Sequence, residues 1–119
     1  MRILITYRSL FELSIFSHTL LKNDHTVIFS DQSRDIQTLL DAKAVDVVIG
    51  HDRDLDMIKD LITNFPMIHY AVISSLGKES FHERTEGYGV LMRLQSPPEK
   101  TDADDLLEKL HQLEILTAA

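Results

Sequence analysis

Residues 45–54, VDVVIGHDRD, run from an apolar stretch directly into a glycine, a histidine and alternating charge. His51 brings an imidazole able to move protons near neutral pH. Asp52, Asp54 and Asp56 bring carboxylates at every second position, and Ser74 and Ser75 bring hydroxyls further along. Three chemistries are on offer here. A base beside a hydroxyl makes a nucleophile, alternating carboxylates can hold a divalent cation, and "LGKES" (76–80) resembles the tail of a phosphate-binding loop.

Each of the three is incomplete. A Ser74–His51 contact is open if their strands are neighbours, but there is no G-x-S-x-G elbow, and the orienting acid would come from the histidine's own loop. The D-x-D-x-D run has Met57 where a calcium loop needs glycine and Thr63 where it needs glutamate. It reads as a solvated loop before a helix, a place where acids are electrostatically favoured. The six histidines (18, 25, 51, 69, 82 and 111) form no H-x-x-x-H pair, so no metal site is expected. "LGKES" lacks the upstream glycine, and "TYRSLFELS" (6–14) has none to let backbone approach an anion. No cofactor is expected.

The elements that must position these residues alternate along the chain. Five short β-like runs, Ile3–Thr6, Thr26–Phe29, Val45–Ile49, Ile68–Ile73 and Val90–Leu94, are apolar nearly throughout, as parallel strands covered on both faces are. Between them apolar residues recur at helical spacing: Leu13, Phe16 and Leu20; Ile36, Leu39 and Leu40; Ile58, Leu61, Ile62 and Phe65; and finally Leu106, Leu107, Leu110 and Leu113. A further helix around Glu79–Glu86 has few apolar residues to mark it. Asp31, Gln32 and Ser33 offer cap chemistry, and Pro66 closes the helix before it. Strict β/α alternation over 119 residues implies a single domain, 1–119, with a five-stranded parallel sheet. This is the flavodoxin-like doubly wound α/β/α class, whose functional edge lies at the carboxyl ends of the strands. There the sequence places "TYRS" (6–9), "GHDRD" (50–54), "SSLG" (74–77) and "QSPP" (95–98).

Composition narrows the function. A formal charge of −7 argues against nucleic-acid binding by this domain and against an anionic membrane surface. Absence of cysteine excludes disulfides and thiol nucleophiles. No stretch approaches the roughly 20 apolar residues of a membrane span, and the N-terminus lacks a signal-peptide pattern. A cytoplasmic location is expected.

In pattern and spacing, over essentially the whole chain, the sequence resembles the receiver (CheY-like) domains of two-component response regulators. "ILITYR" (3–8) matches the first receiver strand, with Tyr7 and Arg8 where the family has its magnesium-binding acidic pair. Asp46 matches the aspartate that opens the third strand, and the phospho-accepting position then falls on His51. A shift by one residue would make it Asp52, without restoring the metal pair. Ser74 matches the hydroxyl that ends strand four. The family's usual spacing from there leads to Ser96 in place of the lysine, followed by Pro97 and Pro98.

The resemblance therefore implies a receiver scaffold that has lost its chemistry: a pseudo-receiver, not an enzyme, acting by phosphorylation-independent protein–protein contacts in signalling or transcriptional control. Arg8 is expected to pair with Asp52 or Asp54 in a charged cluster. The face that receivers use for partners and dimers corresponds here to the segment around Glu79–Glu86, the strand 90–94 and the last helix. It offers Tyr88, Met92, Arg93 and Pro97 to a protein partner or a second copy. Ile115 and Leu116 extend the apolar stripe, either toward a dimer partner or into a linker of a longer regulator. The competing reading is a small-anion or nucleotide binder, or an enzyme, using Tyr7, Arg8, His51 and Ser74.

Overall fold

The computed structural model describes residues 1–6, 16, 18–20, 25–30 and 33–117. Five strands, β1 (Arg2–Ile5), β2 (Thr26–Phe29), β3 (Val47–His51), β4 (His69–Ile73) and β5 (Met92–Leu94), form one parallel sheet in the order β2-β1-β3-β4-β5. Among the described residues the bounded helices are, in chain order, α1 (Ser33–Asp41), α2 (Leu55–Asn64), α3 (Lys78–Thr85) and α4 (Lys100–Thr117). A 3-10 turn over Asp52–Asp54 links β3 to α2, and Phe16 and residues 18–20 are helical. The expected α/β/α class is the observed one.

Successive strand residues point to opposite faces, so each apolar strand feeds two cores. Ile3, Ile5, Val47, Ile49, Ala71 and Ile73 meet Phe16, Leu20 and the Ala103, Leu106 and Leu110 stripe of α4. Leu4, Val48, Tyr70 and Val72 meet Ile36 and Leu40 of α1, Ile58 and Leu61 of α2 and Phe81 of α3. Leu107 and Leu113, expected to face the sheet, are half-buried at the border of that stripe.

Strand β3 lies two residues later than the Val45–Ile49 expectation. Asp46 still bonds to β1 and β4 through its backbone, its N–H on the Arg2 carbonyl and its carbonyl on the His69 N–H, while its carboxylate accepts from the Arg2 backbone N–H at 2.8 Å and pairs with the Arg2 guanidinium at 3.3 Å. Burial raises the Asp46 carboxyl, but the hydrogen bonds and charge of Arg2, with the N-terminal ammonium, outweigh it and hold the group below the usual carboxylate range. At the other end the strand continues through Gly50 and His51. Gly50 leaves room there for Ile58, whose Cδ1 would stand 2.5 Å from an added Cβ and would have to shift. The two-residue extension decides which side chain reaches the sheet's functional edge.

Candidate functional site at the carboxyl edge of the sheet

His51 is the last residue of β3 and registers with Ile73 of β4. The next residue on each side, Asp52 and Ser74, therefore meet beyond the ladder. Ser74 Oγ donates to Asp52 Oδ2 at 2.8 Å and accepts from the Leu76 backbone N–H at 3.1 Å. Ser74 is fully buried. The Ser–His contact that the sequence left open gives way to a Ser–Asp hydrogen bond, since the strand brings Asp52, not His51, to the hydroxyl. The hydroxyl proton is thus held on a carboxylate rather than on an imidazole.

The other carboxylate oxygen is occupied as well. Asp52 Oδ1 lies 2.9 Å from Nδ1 of His51, which is almost completely buried. The same Nδ1 lies 3.1 Å from the Arg53 backbone N–H, which it accepts when unprotonated. When protonated it donates to Asp52 instead. The tautomer decides which of the two the imidazole does: close the 3-10 turn or hold Asp52.

Other parts of the site come from β5 and its loop. Arg93 Nη1 donates to the Ser74 carbonyl at 3.1 Å, so this residue, expected on the interaction face, turns back to the site. The 95–99 loop is tied down by Asp102, a buried acid in the first turn of α4. Its Oδ1 accepts from the Gln95 N–H at 3.2 Å and its Oδ2 from the Glu99 N–H at 2.7 Å. Ser96 is half-buried in that loop, and the Ser96–Pro97 peptide is cis.

The structure thus brings together His51, Asp52 and Ser74, with Arg93 behind them. Asp54 stays apart: it is exposed, and its side chain makes no hydrogen bond or ion pair with a described residue. Tyr7 and Arg8, including the expected pairing of Arg8 with the acids, lie outside the described residues. Of the expected interaction face, Tyr88 and Pro97 are exposed, Tyr88 with Lys59 Nζ 4.9 Å above its ring. Met92 packs on the core. A shallow groove beside the site is lined by Asp52, Asp54 and Asp56 together with Arg53, Lys59 and Arg84. Both signs of charge are interleaved along it. Among the described residues no group of three His, Asp or Glu side chains is placed to hold a metal ion.

Sequence reasoning missed Arg93 and Asp102 as site-supporting residues. A signal existed for Asp102: an acid three positions into a helix can reach back to the N–H groups ahead of it. For Arg93 there was none, since a half-buried strand arginine reads equally as surface.

No protein-family model matches the sequence, and no curated protein is detectably related to it. The fold, by contrast, has many counterparts among solved structures. An orphan response regulator of H. pylori superposes with a TM-score of 0.77 at 16% identity, covering 92% of this chain and 96% of that one. A response regulator receiver domain protein (CheY-like) from Methanospirillum hungatei gives 0.73 at 13%, covering 93% and 90%. An atypical orphan response regulator, described as having a phosphorylation-independent regulatory mechanism, gives 0.71 at 16%, covering 92% and 91%. At these identities the likeness is one of fold: the chain has the CheY-like, flavodoxin-like architecture.

Proposed function

We propose that this chain is a pseudo-receiver: a binding module, not an enzyme, that works in the cytoplasm by protein–protein contact without phosphorylation. The observation that carries the reading is the occupancy of Asp52. Oδ2 accepts from Ser74, and Oδ1 stands 2.9 Å from Nδ1 of the buried His51. Phosphoryl transfer to a carboxylate needs a free oxygen, a divalent cation and a cationic side chain for the phosphoryl group. Here the positions matching the metal pair are Tyr7 and Arg8, and the position matching the lysine is Ser96.

What such a scaffold retains is surface. The face made by α3, β5 and α4 carries exposed Tyr88, a residue type enriched in interfaces, with exposed Pro97 beside it, and β5 is anchored to the site through Arg93. A partner in signalling or transcriptional control would read this face in one fixed state. A solved orphan regulator of the same fold is described as phosphorylation-independent, which supports the same reading here.

The test is an amide NMR titration of the chain with Mg²⁺ and beryllofluoride, repeated with acetyl phosphate. The expected outcome is no shift at Asp52, Ser74 or Arg93 at millimolar ligand. Shifts at those three amides that saturate would refute the reading.

A further inference from the structure

His51 is both the last residue of β3 and the residue that caps the 3-10 turn over Asp52–Asp54. Its side chain is 9% exposed, and its Nδ1 has two partners of opposite kind. Asp52 Oδ1, an acceptor, lies at 2.9 Å, and the Arg53 backbone N–H, a donor, lies at 3.1 Å. One ring nitrogen cannot serve both. With its proton, Nδ1 donates to Asp52 and leaves the Arg53 N–H without this acceptor. Without the proton, Nδ1 accepts from Arg53 and turns a lone pair toward Oδ1, which repels the carboxylate.

The charge of the ring decides between the two. An imidazolium donates from both nitrogens, so it can only hold Asp52, whereas a neutral ring can present a bare Nδ1 to Arg53. Imidazole is also the side chain that changes charge near neutral pH. By strand alternation His51 points to the face of Val47 and Ile49, which Phe16, Leu20 and α4 cover. From α4 the buried acid is Asp102, whose two oxygens are already held by the Gln95 and Glu99 N–H groups. From β4 comes the uncharged Ser74, with Arg93 of β5 donating to its carbonyl. Ile5 and Thr6, at the described end of β1, bring no charge. The turn itself brings Asp52 and the exposed Arg53. The carboxylate in contact with the ring is Asp52.

We propose that His51 is a proton-operated switch for the turn between β3 and α2. On the acid side the imidazolium grips Asp52, and the turn loses its cap. On the alkaline side Nδ1 caps the turn at Arg53, and Asp52 Oδ1 is released. The cap matters because the turn is short. Its own backbone bond runs from the Leu55 N–H to the Asp52 carbonyl, and Asp54, at the N-cap of α2, adds no side-chain bond. Asp52, Arg53 and Asp54 line the charged groove beside the site, together with Lys59 and Arg84. The pH therefore sets how firmly this groove is presented, while the Ser74 hydrogen bond to Oδ2 stays in place. The switch rests on the geometry of the turn and stands whether or not the sheet edge answers to a phosphoryl group.

Nitrogen NMR of the isotopically labelled full chain, from about pH 5 to about pH 8, tests this. The expected result is a His51 Nδ1 that carries a proton at the acid end and is bare at the alkaline end. The Arg53 amide shifts with the same midpoint. On the acid side it exchanges at least about fivefold faster, after division by the intrinsic effect of pH on exchange, because one backbone hydrogen bond is lost. Asp52→Asn removes the charge that holds the imidazolium and moves the midpoint to lower pH. His51→Asn keeps an oxygen acceptor at the cap, so its Arg53 amide exchanges slowly and ignores pH across the range. An Nδ1 protonated throughout, or bare throughout, overturns the proposal. So does an Arg53 amide that does not follow the titration, or a midpoint unmoved in Asp52→Asn.

Discussion

Removing Asp52 or Ser74 separates a closed site from a waiting one, because the two predict opposite signs. In a working phosphorylation site, carboxylates are kept at a cost to stability, and truncating one raises the unfolding free energy. In the geometry here, truncation removes bonds. Ser74→Ala loses a 2.8 Å hydrogen bond to a charged acceptor and leaves the Leu76 N–H without its 3.1 Å partner. The first loss is about 1.5–3 kcal/mol and the second about 1 kcal/mol, for a total near 3 kcal/mol. Asp52→Ala loses the same charged bond and the His51 contact, but relieves a half-buried carboxylate, so about 2 kcal/mol is expected. Asp52→Asn keeps an acceptor for Ser74 and should cost about 1 kcal/mol or less. In Ser74→Ala/Asp52→Ala the shared bond is lost once, giving a coupling of about 1.5–2.5 kcal/mol. Urea unfolding followed by circular dichroism reads all four, with shifted midpoints at unchanged m. An Asp52→Ala variant as stable as the parent or more so, with coupling under about 0.5 kcal/mol, would falsify the closed-site argument.

Gly50→Ala should destabilise by about 1–3 kcal/mol through overpacking, since the added methyl meets Ile58 Cδ1 at 2.5 Å and Cγ1 at 2.9 Å; Ile58→Val in the same chain should recover part of the loss, read by the same unfolding curves. Asp102→Ala frees two backbone N–H groups at Gln95 and Glu99 and should cost about 2–4 kcal/mol, with amide exchange accelerated in residues 95–99 and little changed in β1. The buried Tyr70 phenol reaches the Phe65 and Leu61 carbonyls at 2.9 and 3.0 Å, and burial pushes its pKa up to about 12 from 10. Because the folded value is the higher one, the unfolded chain releases its proton first, and stability falls as pH rises from 10 toward 12. Phenolate absorbance should show a late-titrating tyrosine that Tyr70→Phe removes.

The sheet and its helices were legible because their signal is apolar spacing, and burial against two cores enforces that spacing. The end of β3 was not, because its last residues are a glycine and a histidine. Gly50 is in the strand for steric reasons, against Ile58, and His51 because its imidazole closes the turn that follows. Neither reason leaves a mark on hydropathy. The error propagates: with the strand ending at Ile49, His51 is the residue that faces Ser74, whereas the observed register hands that place to Asp52. Helix α3 was hard to see for a different reason. It buries only Phe81 and Thr85, and its remaining residues are polar, so position between two strands located it where periodicity did not.

The contacts around Ser74 bear on how such a module is controlled. One residue joins three parts of the molecule: its hydroxyl holds Asp52, its backbone N–H donates to the Leu94 carbonyl, and its carbonyl receives Arg93. Here both donors of Ser74 are already used, the hydroxyl on Asp52 and the N–H on Leu94, and its carbonyl holds Arg93, so the structure ties the site to β5 in one arrangement. A ligand shifts an equilibrium only by its differential affinity for two states. On the proposed reading, the link from Ser74 to β5 has one state. Control of the α3–β5–α4 face then falls on the amount of the protein and on the partners that reach it. Arg93→Ala would be the variant that returns mobility to β5 without touching Asp52, and it should broaden the amide resonances of 92–96 while leaving those of β1 sharp.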